Sequence, residues 1–298
     1  MADTTLLTPP TTARTGPRIT PRTVPSHADL PRVRMMGVGF ASVTADEMVA
    51  LVVDRAVARA GCWVITANLD HLRRYASDPH ARRLIHAGDV VVADGMPLVV
   101  ASRLAGLPLP ERVAGSSMAV PIARRAAQRG ASVFLLGGEP GVAQRAADAL
   151  RAQAPGLEVA GTYCPPHGFE DDARERAEID RVLRAADPDV VLVALGFPKQ
   201  DRVILGLRHV LPGASFIGVG IALSFVAGDQ RRAPEWMRRA GVEWLHRLAR
   251  EPRRLWRRYL VLGLPFATRL AAAALVARAQ RALGGPWEDV PKIGAPRG

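Results

Sequence analysis

Cysteine is nearly missing from this chain: Cys62 and Cys164 are the two in 298 residues, and no motif spacing relates them. That excludes a disulfide scaffold or a cysteine-built zinc site and suits a reducing cytoplasm. Lysine is as scarce, with only Lys199 and Lys292, so nearly all the positive charge is arginine. A GC-rich coding sequence gives the same bias, so only arginines in patterned positions carry weight. There is no G-K-S or G-K-T, which argues against a P-loop nucleotidase. Histidines stand singly, His71, His80, His86, His167, His209 and His246 among the seven, without metal-ligand spacing. No apolar segment of secretory type follows the start. Residues 1–33, rich in Thr, Pro and Arg, hold too few apolar side chains to offset the entropy of ordering and read as a disordered tail. A spanning helix wants about 20 apolar residues. The best run, 259–277, is broken by Pro265 and by Arg269, a costly residue inside a bilayer. It reads as an interfacial or partner-packing helix.

What is present is an ordinary α/β pattern. With 48% apolar residues the chain can bury a sizeable core, in one large domain or two small ones. From Arg34 onward, short β-branched runs alternate with amphipathic stretches, as in a parallel sheet with crossover helices. Strands are expected at 63–67, 89–93, 132–136, 157–161, 189–195 and 215–219. Helices are expected at 45–60, 79–87, 97–105, 116–129, 140–153, 171–186 and 199–210. No internal repeat is visible. The organisation expected is an α/β core over 34–228, a helical basic appendage over 229–285 and a tail over 286–298.

In open α/β sheets, ligands bind outside the carboxyl ends of the strands. Thr66 and Asn68 end the first expected strand, and Asp94-Gly95 follows the second. Gly137-Gly138 follows 132–136, Gly196-Phe197-Pro198-Lys199-Gln200 follows 189–195, and Gly218-Val219-Gly220 closes the last. One such turn means little; five at one edge favour a nucleotide-like ligand. Gly137-Gly138-Glu139-Pro140-Gly141 has the form of a phosphate-binding turn and equally of a plain strand–helix turn, since it is not GxGxxG. Asp187-Pro188-Asp189 has the form of a D-x-D metal motif but precedes its strand, which places it on the opposite edge as a helix stop. His71 is expected on a helix surface, with a place lining the crevice just past Asn68 as the alternative. Asp94 has two readings: a carboxylate projecting into the crevice mouth, or a cap for the helix beginning near Pro97.

The densest feature is the stretch 230–259, QRRAPEWMRRAGVEWLHRLAREPRRLWRRY, with ten arginines, three acids and three tryptophans. Its net +7 is more than half of the chain's +12. Guanidinium groups bind phosphate bidentately and tryptophan favours a membrane–water interface. The stretch points to a diphosphate, an anionic membrane surface or both; a solvated basic helix is the plain alternative.

Taken in order, TANLDH (66–71), VVADGMPLV (91–99), RVAGSS (112–117), FLLGGEPGVA (134–143), ALGFPKQD (194–201), GVG (218–220) and the basic stretch resemble the WecG/TagA/CpsF family of bacterial glycosyltransferases, which includes N-acetylmannosaminyltransferases. The match runs from Met36 to Tyr259, and the block around Arg232-Ala233-Pro234, Glu243-Trp244 and Glu251-Pro252-Arg253-Arg254 is its most specific part. The resemblance implies a Rossmann-like, mostly parallel α/β sheet flanked by helices, with a helical basic C-terminal appendage completing the site. It also implies inverting transfer of a hexose, N-acetylmannosamine, its uronic acid or glucose, from a UDP-sugar to a polyprenyl-diphosphate-linked sugar. Such an enzyme serves cell-surface polysaccharide or teichoic acid synthesis. The expected location is cytoplasmic, peripheral to the inner face of the cell membrane, with no metal or other cofactor, no nucleic acid partner, and homo-oligomers left open.

By position in the family motifs, Asp94 is the implied catalytic base, and Thr66, Asn68, Arg112 and Gln200 line its pocket. Arg247, Arg254 and Arg257 are the appendage arginines implied to reach a diphosphate. Gly137, Gly138, Lys199, Gly218 and Gly220 complete the expected substrate-binding set. The chain departs from the family at Ser224, commonly an aspartate associated with the uracil end of the donor. Asp201 stands where a glutamate is usual. Two other classes compete. A Rossmann-type oxidoreductase would want a better GxGxxG and an acid ending the next strand. A non-catalytic basic adaptor for membrane or nucleic acid fits the charge but not its confinement to a Trp-rich segment beside apolar helices.

Overall fold

The computed structural model describes residues 26–283 and 289–290. Most of the two expected tails falls outside them. A hairpin of β1 (Arg32–Met35) and β2 (Val38–Ala41) opens the fold, turning through Met36 and Gly37 at positive φ. Sequence reading misses it because each arm is only four residues long. Helix α1 (Ala45–Val57) starts on a capping box: the Thr44 hydroxyl accepts from the Glu47 amide and the Glu47 carboxylate accepts from the Thr44 amide.

Strands and helices then alternate: β3 (Cys62–Ala67), α2 (Leu69–Ser77), α3 (Pro79–Ala87), β4 (Val90–Ala93), α4 (Met96–Leu104) and α5 (Gly115–Arg129). Next come β5 (Ser132–Gly137), α6 (Val142–Gln153), β6 (Glu158–Tyr163), α7 (Ala173–Ala186), β7 (Val190–Ala194), α8 (Lys199–Val210) and β8 (Ser215–Gly218). All six expected strands and all seven expected helices occur, with ends shifted by three residues or fewer. The helix expected from Pro140 begins at Val142, because Gly141 at positive φ closes the turn before it. The one expected from Asp171 begins at Ala173 behind a 3-10 turn capped by Asp172. Two helices of the expected core were missed, α2 and the five-residue Ala222–Val226; α2 is short and polar, and depends on the Asn68 side chain capping its first turn.

Past the sheet run α9 (Ala222–Val226), α10 (Glu235–Arg239), α11 (Glu243–Arg250), α12 (Pro252–Trp256), a π-helical stretch at Arg257–Gly263 and α13 (Leu264–Ala282). A two-residue strand, β9 (Asp289–Val290), pairs with β1.

The sheet order is β6-β5-β7-β8-β3-β4-β2-β1-β9, and every pairing except the hairpin is parallel. Alternation along the strands divides the core into two layers. Trp63, Ile65, Val91, Phe134, Val191 and Phe216 face the layer completed by α2, α4, α7, α8 and α13. Val64, Val92, Val133, Leu192 and Ile217 face the layer completed by α1, α5, α6 and α9. Helix α13 therefore belongs to the core: Phe266 and Leu270 are buried in the first layer. Each such side chain contributes about 1.5–3 kcal/mol, a large share of an ordinary protein's ~5–15 kcal/mol. A cut after Gly228 would strip them away, so substitutions test the C-terminal segment more cleanly than deletion.

Candidate active site

The five strands expected to share a functional edge, β5, β7, β8, β3 and β4, are contiguous and parallel, so their carboxyl ends form one crevice. Asp187-Pro188-Asp189 lies at the other edge. Asp187 caps α7 at positive φ, while buried Asp189 accepts from the Ser132 amide. A cavity of about 280 Å³ also opens at that edge, against Trp63, Asp89 and Arg208, away from the gathered polar side chains.

Asp94 sits at the crevice floor. Its amide donates to the Ala67 carbonyl, continuing the β3–β4 ladder, and its Oδ2 accepts from the Gly115 amide at 3.3 Å. The reading of Asp94 as a cap for the following helix is overturned: α4 starts at Met96 behind Gly95, with no side-chain cap. Asp94 instead receives the first amide of α5, whose preceding residue, Ala114, has no capping side chain. Burial pushes the Asp94 carboxyl up from 3.8 to about 6, with the Glu243 charge adding; Arg112, the Gly115 amide and Arg247 pull it down.

Thr66 is buried on the same face of the sheet and donates from Oγ1 to the Gly218 carbonyl at 2.9 Å, tying β3 to β8. The buried Gln200 amide packs directly on Gly218. Gly115, Thr66, Gly218 and Gln200 thus form one contiguous wall beside Asp94. Gly137, at φ +99°, lies where a Cβ would meet the Ala194 carbonyl at 2.7 Å. The Gly138 amide donates to the same carbonyl, and its own carbonyl accepts from Cys164 Sγ at 3.1 Å. Gly220 leaves open space in front of it. Lys199 is drawn into an ion pair with Glu170.

Asn68 spends its side-chain oxygen on capping α2, accepting from the amides of Asp70 and His71. His71, expected on a helix surface, is buried at 4% exposure, because its ring packs against Phe197 with centroids 4.2 Å apart. Its Nδ1 lies 3.0 Å from Asn68 Oδ1. Burial first, then Arg258 and Arg74, lower its pKa to about 3, against the raising charge of Asp70, so the imidazole is neutral. Asp201 is buried too; desolvation pushes its carboxyl up to about 7, against bonds to Gln200 and its own backbone.

Of the appendage arginines, Arg247 lies near enough to Asp94 to influence its ionisation. Arg254 is exposed and paired with its neighbour Glu251, and Arg257 is exposed. Arg258 reaches core residue Asp70, at 3.5 Å. Sequence reasoning also passed over Glu243, which is 8% exposed and receives Arg112 Nη1 at 3.1 Å. Arg232 lies on its other oxygen at 3.9 Å and also binds Ser117. The available signal was an acid among ten arginines, but only burial shows that it points inward.

Among the described residues, no group of three or more His, Cys, Asp or Glu is placed to hold a metal ion. The arrangement offers a carboxylate that ionises near neutrality, a helix N-terminus that meets it, and the guanidinium groups of Arg112 and Arg247 close enough to act on it. Such a set can take a proton from a hydroxyl and steady a leaving anion.

The family model for the glycosyl transferase WecG/TagA/CpsF family matches residues 33–280. An N-acetylglucosaminyldiphosphoundecaprenol N-acetyl-beta-D-mannosaminyltransferase of Bacillus spizizenii is 32% identical over 200 residues, covering 67% of this chain and 75% of the relative. The enzyme of the same description from Bacillus subtilis is 31% identical over 207 residues, covering 70% of this chain and 77% of the relative. On a match spanning both the crevice and the arginine-rich segment that faces it, the chain belongs to the WecG/TagA/CpsF family of glycosyltransferases.

Proposed function

We propose that this protein transfers a hexose from a UDP-sugar to a polyprenyl-diphosphate-linked sugar, with Asp94 as general base and without a metal. The observation that carries the reading is Asp94 at the carboxyl edge of the sheet, held by the α5 amide beside Arg112 and Arg247. Direct displacement at an anomeric carbon needs a carboxylate to receive the acceptor hydroxyl's proton as the new bond forms. The departing nucleoside diphosphate needs fixed positive charge, which Arg112, Arg247 and the N-terminus of α5 are placed to supply. The relatives' printed acceptor, a sugar diphosphate on undecaprenol, motivates the choice of acceptor. N-acetylmannosamine is the first donor sugar to try.

Peripheral attachment to the inner face of the cell membrane is part of the same proposal. The continuous helix Pro252–Ala282 is long and apolar enough to cross a membrane by length and composition. One side of it packs on the core through Phe266, Leu270 and Ala274, which favours lying on a bilayer over spanning it. Its other side exposes Trp256, Leu260, Val261, Leu264, Leu275 and Val276, next to the arginines.

The test is turnover of UDP-N-acetylmannosamine and other UDP-sugars with a short-chain polyprenyl-diphosphate N-acetylglucosamine, beside titration of UDP and NAD(H). Vesicles containing anionic lipid should sediment the protein, and Trp256→Glu with Leu260→Glu should weaken that binding about tenfold or more, since each loses apolar burial worth ~1.5–3 kcal/mol. No transfer from any UDP-sugar, with NAD(H) binding in place of UDP, would overturn the reading.

The base role sets a pH dependence. Asp94 must be ionised, so kcat/KM should fall tenfold per unit as pH drops below about 6. Stability runs the other way. Between 3.8 and about 6 folded Asp94 keeps a proton that the unfolded chain has lost, so stability declines as pH rises through that window. The shift caps the loss at ~3 kcal/mol, and partial solvent access at Asp94 brings the expected loss to ~1–3 kcal/mol. Urea melts at pH 4 and 7.5 on wild type and Asp94→Asn measure it; an acid limb near 4 would refute the assignment.

A further inference from the structure

We propose that Glu243 is a positioning residue: its buried carboxylate ties the arginine-rich segment to the core through Arg112 and Arg232 and so fixes the Arg112 guanidinium beside Asp94. This rests on the transfer reading and adds a residue to it. Glu243 opens α11 and is the buried residue of that helix, while Arg238, Arg247 and Arg250 stay at least partly open to solvent. A carboxylate is withdrawn from water at a cost that paired guanidinium groups can offset. Here Arg112 comes from the core loop before α5, and Arg232 comes from the start of the segment, itself anchored on Ser117 of α5.

Arg112 is held through one nitrogen, Nη1, and makes no other hydrogen bond among the described residues. The rest of the fork is therefore available to an anion in the crevice, but its direction is set by Glu243. Without that carboxylate a long side chain beside Asp94 has two outcomes, both harmful. It can swing to Asp94 and hold it as an ion pair, or swing into solvent and leave the donor diphosphate without its partner. The groups facing Asp94 are Arg112, Arg232, Arg247, Glu243 and the Gly115 amide. Removing the Glu243 charge deletes a negative neighbour, which favours the ionised form of Asp94, and an Arg112 that swings onto Asp94 favours it further.

The experiment uses the full chain with Glu243→Gln and Glu243→Asp. For Glu243→Gln, kcat is expected to drop about tenfold or more, as displaced catalytic geometry does. The acid limb of the pH profile should move to lower pH, and amides at 235–256 should exchange faster with solvent. Glu243→Asp, which keeps the charge on a shorter stem, should recover part of kcat and restore the acid limb. A Glu243→Gln protein with an unmoved acid limb and unchanged exchange overturns the proposal. So does a Glu243→Asp protein no better than Glu243→Gln. If wild type transfers no sugar, the transfer reading fails by itself. Hydrogen exchange and the Asp94 carboxyl titration followed by carbon NMR still decide whether Glu243 latches the segment and sets the site.

Discussion

Asp94→Asn is expected to lower sugar transfer by about 10²–10⁴-fold at pH 7.5, the range that a positioned general base contributes. The substitution is nearly isosteric, and the Gly115 amide can still donate to the Asn oxygen, so the α5 N-terminus stays in place. UDP affinity should change little, because the diphosphate partners Arg112 and Arg247 remain. The fold should become more stable above pH 6, because the variant no longer buries an ionised carboxylate. Loss of turnover together with a gain in stability separates a chemical role from a structural one. A purely structural aspartate would lose both, and near-normal turnover would remove Asp94 from the mechanism.

Gly115→Ala should be the most damaging single methyl group in the site. A Cβ there would overlap the Gly218 carbonyl and stand 2.8 Å from Thr66 Oγ1. Neither neighbour can yield cheaply: one is backbone of a central strand, and the other is a buried hydroxyl bonded to that same carbonyl. The strain should cost about 1–3 kcal/mol of stability. Relief comes most easily by moving the α5 N-terminus, which withdraws the amide from Asp94. A displacement near 1 Å is enough for about a 10²-fold loss in rate. Gly206→Ala is the control, since its position within α8 is open and a helical glycine-to-alanine change should add ~0.5–1 kcal/mol. Thermal melts and single-turnover rates on both variants test this. A Gly115→Ala protein with wild-type melting and rate would show that the wall tolerates displacement.

The fold was legible in the sequence wherever one rule acted alone. Val90-Val91-Val92-Ala93 and Val190-Val191-Leu192-Val193-Ala194 are apolar on both faces, and only a strand covered by helices on both sides needs that. The helix at Pro79–Ala87 carries its own start signal in Asp78-Pro79. What was missed depends on partners distant in sequence or on a single side chain. The β1–β2 hairpin is too short to show a period and is held by β4 and β9. Helix α2 hangs on one asparagine. His71 looks like a surface residue until Phe197, 126 positions later, is laid against it.

The order of the residues along the chain determined that Thr66, Asp94, Gly137, Gln200 and Gly218 would share one edge. In a parallel sheet every strand ends on the same side, whatever the spatial order of the strands. The same order determined that the positive charge would arrive after the sheet was complete. Tertiary structure alone decided which of those charges matter at the site. Guanidinium groups are alike in sequence, and their roles differ through burial and through the carboxylates that hold them. Arg112 and Arg232 gather on Glu243, Arg258 goes to Asp70, and Arg254 turns back to Glu251. Two of these pairings, Arg112 with Glu243 and Arg258 with Asp70, join residues more than a hundred positions apart. They depend on distances of 3–4 Å that only the packed chain fixes.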